Sequence, residues 1–130
     1  MYDKLPYDTA RDFAPVSLLL SGPVLLVVHP SLPAKNARDV IALAKAKPGT
    51  LTFASAGHGT PPHMAAELFK SMAGIDLIHV PYKGNGPAYT DLMAGQVLLM
   101  FPNIATAIQY VKTGRMRALG VGSKTRSTIA

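Results

Sequence analysis

The sequence contains no cysteine. That excludes a disulfide scaffold, a thiolate metal site and a cysteine nucleophile, and it leaves the redox compartment open. Acidic side chains are scarce, 7 Asp and Glu against 13 Lys and Arg in 130 residues, which disfavours a glycosidase built on two carboxylates. No apolar run reaches the roughly 20 residues of a membrane-spanning helix. The longest stretch, Val16 to Val28, is broken by Ser17, Ser21, Gly22 and Pro23. The opening MYDKLPYDTARDF has no apolar h-region, so no signal peptide is expected, and the chain stays in the cytoplasm if made as written. Several chemical signatures are missing too. No Gly-Lys-Ser/Thr follows a glycine loop, no third glycine completes a dinucleotide fingerprint, and there is no G-x-S-x-G elbow. The net charge of +6 permits anionic partners. The basic residues are nevertheless scattered singly, as at Lys35, Arg38, Lys70 and Lys83, with the densest group (Arg115, Arg117, Lys124, Arg126) near the end. No basic stripe is interleaved with aromatics, so nucleic acid is not expected as a partner.

What is present suits one domain: 130 residues, 48% of them hydrophobic. Residues 1–15 are polar, with Pro6 and Pro15. Residues 18–30 centre on VLLVVHP, a continuous apolar run that reads as a buried strand. Asn36 is placed to cap a helix through Val40, Ile41, Leu43 and Ala44 that stops at Pro48-Gly49. Strands are expected at 51–55, 76–80, 97–101 and 117–121. Between them lie helices from Pro61 to Gly74, over 88–94, and from Ile104 to Gly114. Met64, Leu68 and Met72 share one helix face, and with Met93 they are expected in the core. Strict alternation of strand and helix predicts an α/β domain with a mostly parallel sheet flanked by helices.

In such sheets ligands bind beyond the carboxyl ends of the strands. Three loops lie there. In AGHGTPP (56–62), Gly57 and Gly59 let backbone approach a ligand, and Thr60 offers a hydroxyl or a cap to a helix start that presents N–H groups to an anion. In PYKGNGP (81–87), Tyr82 brings a ring and hydroxyl, Lys83 a charge and Gly84 open backbone. In PNIAT (102–106), Asn103 and Thr106 stand at a helix start, where simple capping explains them equally well. All three loops lack carboxylates, which favours an anion or carboxylate ligand. The histidines do not read as a metal site. His58 and His63 are separated by a Pro-Pro turn with no Glu between, His29 precedes Pro30, and His79 sits inside an apolar strand. No metal and no cofactor is expected. His63 is expected to orient the glycine loop by donating to its backbone.

Taken in order, YDKLPYDTARDFAPVSLL, VVHPSLPAKNARDVIALAKAKPG, FASAGHGTPPHMAAELFKSMAGIDLIHVPYKG, DLMAGQVLLMF and GRMRALGV resemble the Bug-type solute receptors, the extracytoplasmic binding components of tripartite tricarboxylate transporters. The resemblance covers nearly the whole chain. It implies a periplasmic type II binding protein with two α/β lobes around a cleft, which takes small carboxylates without catalysis or cofactor and works with membrane transporter subunits. Matching ligand positions are Ser55, Gly57, His58, Gly59 and Thr60, then Tyr82, Lys83 and Gly84, then Pro102, Asn103 and Thr106. Many members carry Asp where this chain has Pro102, which favours plain carboxylates over amino acids here. Family members are about twice as long. The chain therefore resembles a fragment: 1–17 the end of the first lobe, 18–30 the crossover strand, 31–123 the second lobe and 124–130 a truncated C-terminal segment. An alternative is a non-binding fragment that self-associates, or pairs with another chain, through its exposed inter-lobe surface.

Overall fold

The computed structural model describes residues 4–18 and 22–123. After a single exposed turn, α1 (Thr9–Asp12), the chain alternates β1 (Leu25–Val28), α2 (Ala37–Ala46), β2 (Thr52–Ser55), α3 (Pro61–Ala73), β3 (Ile78–Pro81), α4 (Asn85–Met93), β4 (Leu99–Met100), α5 (Ile104–Lys112) and β5 (Arg117–Val121). The expected 124–130 segment and Leu19–Ser21 of the expected crossover strand lie outside the described residues.

The strands form one sheet in the order β3-β2-β4-β1-β5. The α/β class holds, but the sheet is mixed rather than mostly parallel. β2 runs parallel to β3 and β4, while β1 is antiparallel to β4 and β5. A buried run such as LLVV is equally apolar read in either direction, so its hydrophobicity carries no information about strand polarity.

Period-two alternation divides β1 between two cores. Leu26 and Val28 pack with Phe53, Leu99 and Phe101 beneath Val40 and Ala44 of α2 and Ala66 of α3. Leu25 and Val27 pack with Ala54 and Met100 beneath Ala88, Tyr89 and Leu92 of α4 and Ile104 and Ala107 of α5. Helices thus cover both faces. Local signals set their ends as the sequence suggests. Asn36 Oδ1 accepts the Asp39 N–H at 3.1 Å, and α3 stops at Gly74 in the left-handed conformation. α4 begins three residues earlier than expected, at Asn85, because Pro87 is tolerated in a first turn.

One expectation fails on α3. Met64, Leu68 and Met72 are 42%, 61% and 80% exposed. The helix instead presents Ala66, with Ala65 and Phe69, to the sheet. The small Ala66 lets α3 sit close over Phe53, and this rotates the larger side chains outward. Leu68, Phe69, Met72, Phe101 and Val121 line a shallow apolar groove on this face. Met93 packs against the second core as a partly buried residue.

Phe53 is fully buried on β2, an interior strand of the sheet. Phe53→Ala is expected to lower unfolding free energy by about 3–5 kcal/mol, read from urea denaturation followed by circular dichroism.

Candidate functional site

Because β2, β3 and β4 are parallel neighbours, the loops after them share one edge of the sheet. The first two loops are tied together by backbone. Tyr82 N–H donates to Ser55 O at 3.0 Å, and Gly84 N–H to Ala56 O at 3.2 Å.

Ser55 is the knot of this edge. It is completely buried. Its Oγ donates to Gly57 O at 3.1 Å, accepts the Gly57 N–H at 3.1 Å and meets His79 Nε2 at 2.7 Å. Gly57 has φ +131° and Gly59 φ +75°, conformations that side-chain-bearing residues rarely adopt. At Gly57 a Cβ would also stand 3.4 Å from Tyr82 O, so that glycine permits the close approach of the two loops. Thr60 Oγ1 donates to Gly57 O at 2.7 Å and makes no cap to α3. The start of α3 is also poorer in donors than its position suggests. Pro61 and Pro62 have no N–H, so of the first three helical residues only His63 supplies one.

In the second loop, the Tyr82 hydroxyl donates to Asp91 Oδ2 at 2.7 Å. Burial, with this bond and the Asp91 charge added, pushes Tyr82 up to about 12. Its hydroxyl is therefore committed to α4, and what it offers a ligand is the ring. Lys83 is exposed and has no ion-pair partner among the described residues. Gly84 precedes α4 with no side-chain cap. Next to it, Asn85 Oδ1 is buried without a hydrogen-bond partner among the described residues.

The third loop is more structural. Asn103 Oδ1 accepts the Ala105 N–H at 2.9 Å as the cap of α5. Thr106 Oγ1 donates to Asn103 O at 2.9 Å and meets Tyr89 Oη at 2.6 Å. The Ile104 N–H is bonded to Pro23 O. Asn103 caps α5, and Thr106 braces the same turn through the Asn103 carbonyl and Tyr89.

The histidines depart most from expectation. His79 does not stand alone in its strand. It stacks on Phe53 at 4.7 Å and on His63 at 4.3 Å between ring centroids, and His58 meets it edge-on at 4.9 Å. The register that pairs Phe53 with His79 across β2 and β3 brings it there, and nothing in the linear spacing shows that. His63 orients the glycine loop with the opposite sense from that expected: its Nδ1 accepts the Gly59 N–H at 3.1 Å. Burial, then the neighbouring His63 and His58, press His79 down to about 4, while Glu67 opposes the shift and Lys70 adds to it.

The comparison with known proteins now decides the family. Residues 1–130 match the tripartite tricarboxylate transporter family receptors throughout. The chain belongs to that family. A Pseudomonas sp. protein from the tcbD–tcbE intergenic region is 41% identical over 125 residues, covering 96% of this chain and 37% of its own length. BugT of Bordetella pertussis is 36% identical over 124 residues, covering 95% of this chain and 38% of its own. Among solved structures, Rpa4515 of R. palustris with adipate superposes at TM-score 0.86 with 36% identity, over 96% of this chain and 42% of that one. MatC of Rhodopseudomonas palustris with bound malate does so at 0.87 with 30% identity, over 96% and 42%. The chain thus spans well under half the length of these receptors.

A histidine whose folded value lies below the usual 6.5 binds fewer protons folded than unfolded. Its contribution to stability is full above about pH 6.5 and is lost as pH falls towards 4. The thermal midpoint of the chain is expected to fall between pH 7 and pH 4.5, and to fall less in His79→Phe, as followed by circular dichroism in parallel scans.

Proposed function

We propose that this chain supplies one lobe of a solute receptor that captures a small carboxylate. The observation that carries the reading is the pair of glycine loops bonded to each other at the carboxyl edge of the parallel strands. Gly57, Gly59 and Gly84 leave space there by lacking side chains, and Lys83, without an ion-pair partner among the described residues, stands alongside. Ser55 and Thr60 hold the first loop in shape rather than offering their hydroxyls. The exposed His58 and Lys83 face the ligand, with the Tyr82 ring as a wall, while the N–H groups of Gly57, Gly59, Thr60, Tyr82 and Gly84 hold the two loops in shape. Asn103 and Thr106 contribute by fixing the start of α5.

Several features support a carboxylate in particular. The three loops carry no Asp or Glu, and two structural relatives were solved with adipate and malate. The activity is binding and release, with no bond made or broken. In the longer receptors the ligand is enclosed by a first lobe in the periplasm and delivered to membrane transporter subunits. In this reading residues 1–17 belong to the end of that lobe, 18–30 to the crossover and 31–123 to the second lobe.

A second reading is favoured by the exposed Met64, Leu68 and Met72 beside the apolar groove, and by Ile78, 47% exposed on the edge strand β3. On its own the chain would bury this surface by pairing with a copy of itself.

Titrating malate and adipate into the 15N-labelled chain is expected to move the amide signals of Gly57, Gly59, Lys83 and Gly84. Lys83→Ala is expected to weaken that binding about threefold to fivefold at low ionic strength, as an exposed charge contributes up to roughly 1 kcal/mol. It should also flatten the salt dependence. Signals that stay fixed at millimolar acid, with a dimer-sized species in sedimentation, would support the second reading instead.

A further inference from the structure

We propose that His58, His63 and His79 form a binding site for a divalent ion of the zinc class. The three residues come from separate places, the β2–α3 loop, the first turn of α3 and strand β3. One ring nitrogen from each lies within 4.8 Å of the others. A four-coordinate ion with nitrogen ligands at about 2.0–2.1 Å holds neighbouring donors roughly 3.3 Å apart. Closing from as much as 4.8 Å to that spacing brings donors up to about 1.5 Å nearer, and the stacked rings of His63 and His79, 23° apart in plane, must turn so that their lone pairs converge; His58 is exposed between two glycines of unusual backbone conformation, Gly57 and Gly59.

The surrounding hydrogen bonds prepare the rings for this role. Ser55 Oγ stands within hydrogen-bond reach of both Gly57 O at 3.1 Å and His79 Nε2 at 2.7 Å; in the tautomer that carries the His79 proton on Nε2, Nδ1 of that ring keeps a bare lone pair for an ion. His63 Nδ1 already accepts a hydrogen bond, from Gly59 N–H, so it too carries no proton. The other nitrogen of His63, Nε2, faces Glu67 Oε1 at 3.9 Å. A hydroxyl and a carboxylate on the far side of metal-binding imidazoles are the usual means of fixing ring orientation and raising donor strength. An ion bound at His63 Nδ1 takes the place of one backbone N–H. Glu67, which also pairs with Lys70 Nζ at 3.0 Å, supplies negative charge one helical turn away. Three imidazoles select zinc, cobalt, nickel or copper over calcium and magnesium, which prefer oxygen. The proposal does not depend on carboxylate binding.

The test uses the untagged, chelator-treated chain, titrated with cobalt(II) chloride and then with zinc chloride. The expected result is one ion per chain, with strong visible cobalt absorption that zinc abolishes. His58→Ala, at an exposed loop position that the core does not need, should lower zinc affinity at least about tenfold with unchanged far-ultraviolet circular dichroism. Glu67→Gln should lower it roughly tenfold. His29→Ala, outside the cluster, should leave it unchanged. Absence of the cobalt bands, or equal zinc affinity in His58→Ala and the parent, overturns the site.

Discussion

One buried hydroxyl sets the geometry of the functional edge. Ser55 ends β2 with no exposure, and its three polar contacts fix the turn at Gly57 and the ring of His79 together. Its own carbonyl accepts the Tyr82 N–H, so the second loop is located from the same residue. A buried polar group with all its capacity used is rigid, because leaving any partner unsatisfied costs about 1–3 kcal/mol. Under the proposed function, the loops that meet a ligand rest on a fixed strand end and need little ordering when they bind.

The same satisfaction redistributes the electrostatics. Pro61 and Pro62 strip α3 of two of the free N–H groups that make a helix start attractive to anions. Asn103 and Pro23 occupy those of α5. With the Gly59 N–H bonded to His63 and the Gly84 N–H to Ala56 O, what remains for an anion is the uncapped start of α4 and the Lys83 charge. Under the proposed function, the starts of α3 and α5 support the loops more than they hold a ligand themselves.

Much of this was legible in the sequence, and the rest was not for identifiable reasons. Strand and helix alternation, the Asn36 cap and the stop at Gly74 are encoded within a few residues, and they appear where expected. The family resemblance, carried by the order of five segments, is shown by the match over the whole chain. The polarity of β1 was not legible, because it depends on partners far along the chain. The buried side of α3 was misread for a different reason. Its i, i+4 line of large residues looks like a core stripe, yet close packing over Phe53 selects Ala66 instead. The convergence of His79 with His58 and His63 needs the β2–β3 register, which no spacing rule supplies. Asn103 and Thr106 remained ambiguous because capping and ligand contact call for the same polar side chains at a helix start.

The place of β1 has a consequence for how the molecule comes into being. Of the five described strands it comes first in the sequence, yet its two neighbours in the sheet are β4 and β5, the last two in order. β2 and β3 can zip together as soon as α3 has formed. Leu25–Val28 must wait, with all four side chains destined for the interior. Such long-range closure is slow, since the entropy of a large loop is lost before its contacts form. During translation a sticky apolar tetrapeptide therefore stays unpaired until β4 and β5 have been made. Its completion is a late, all-or-none insertion between strands that have only just emerged.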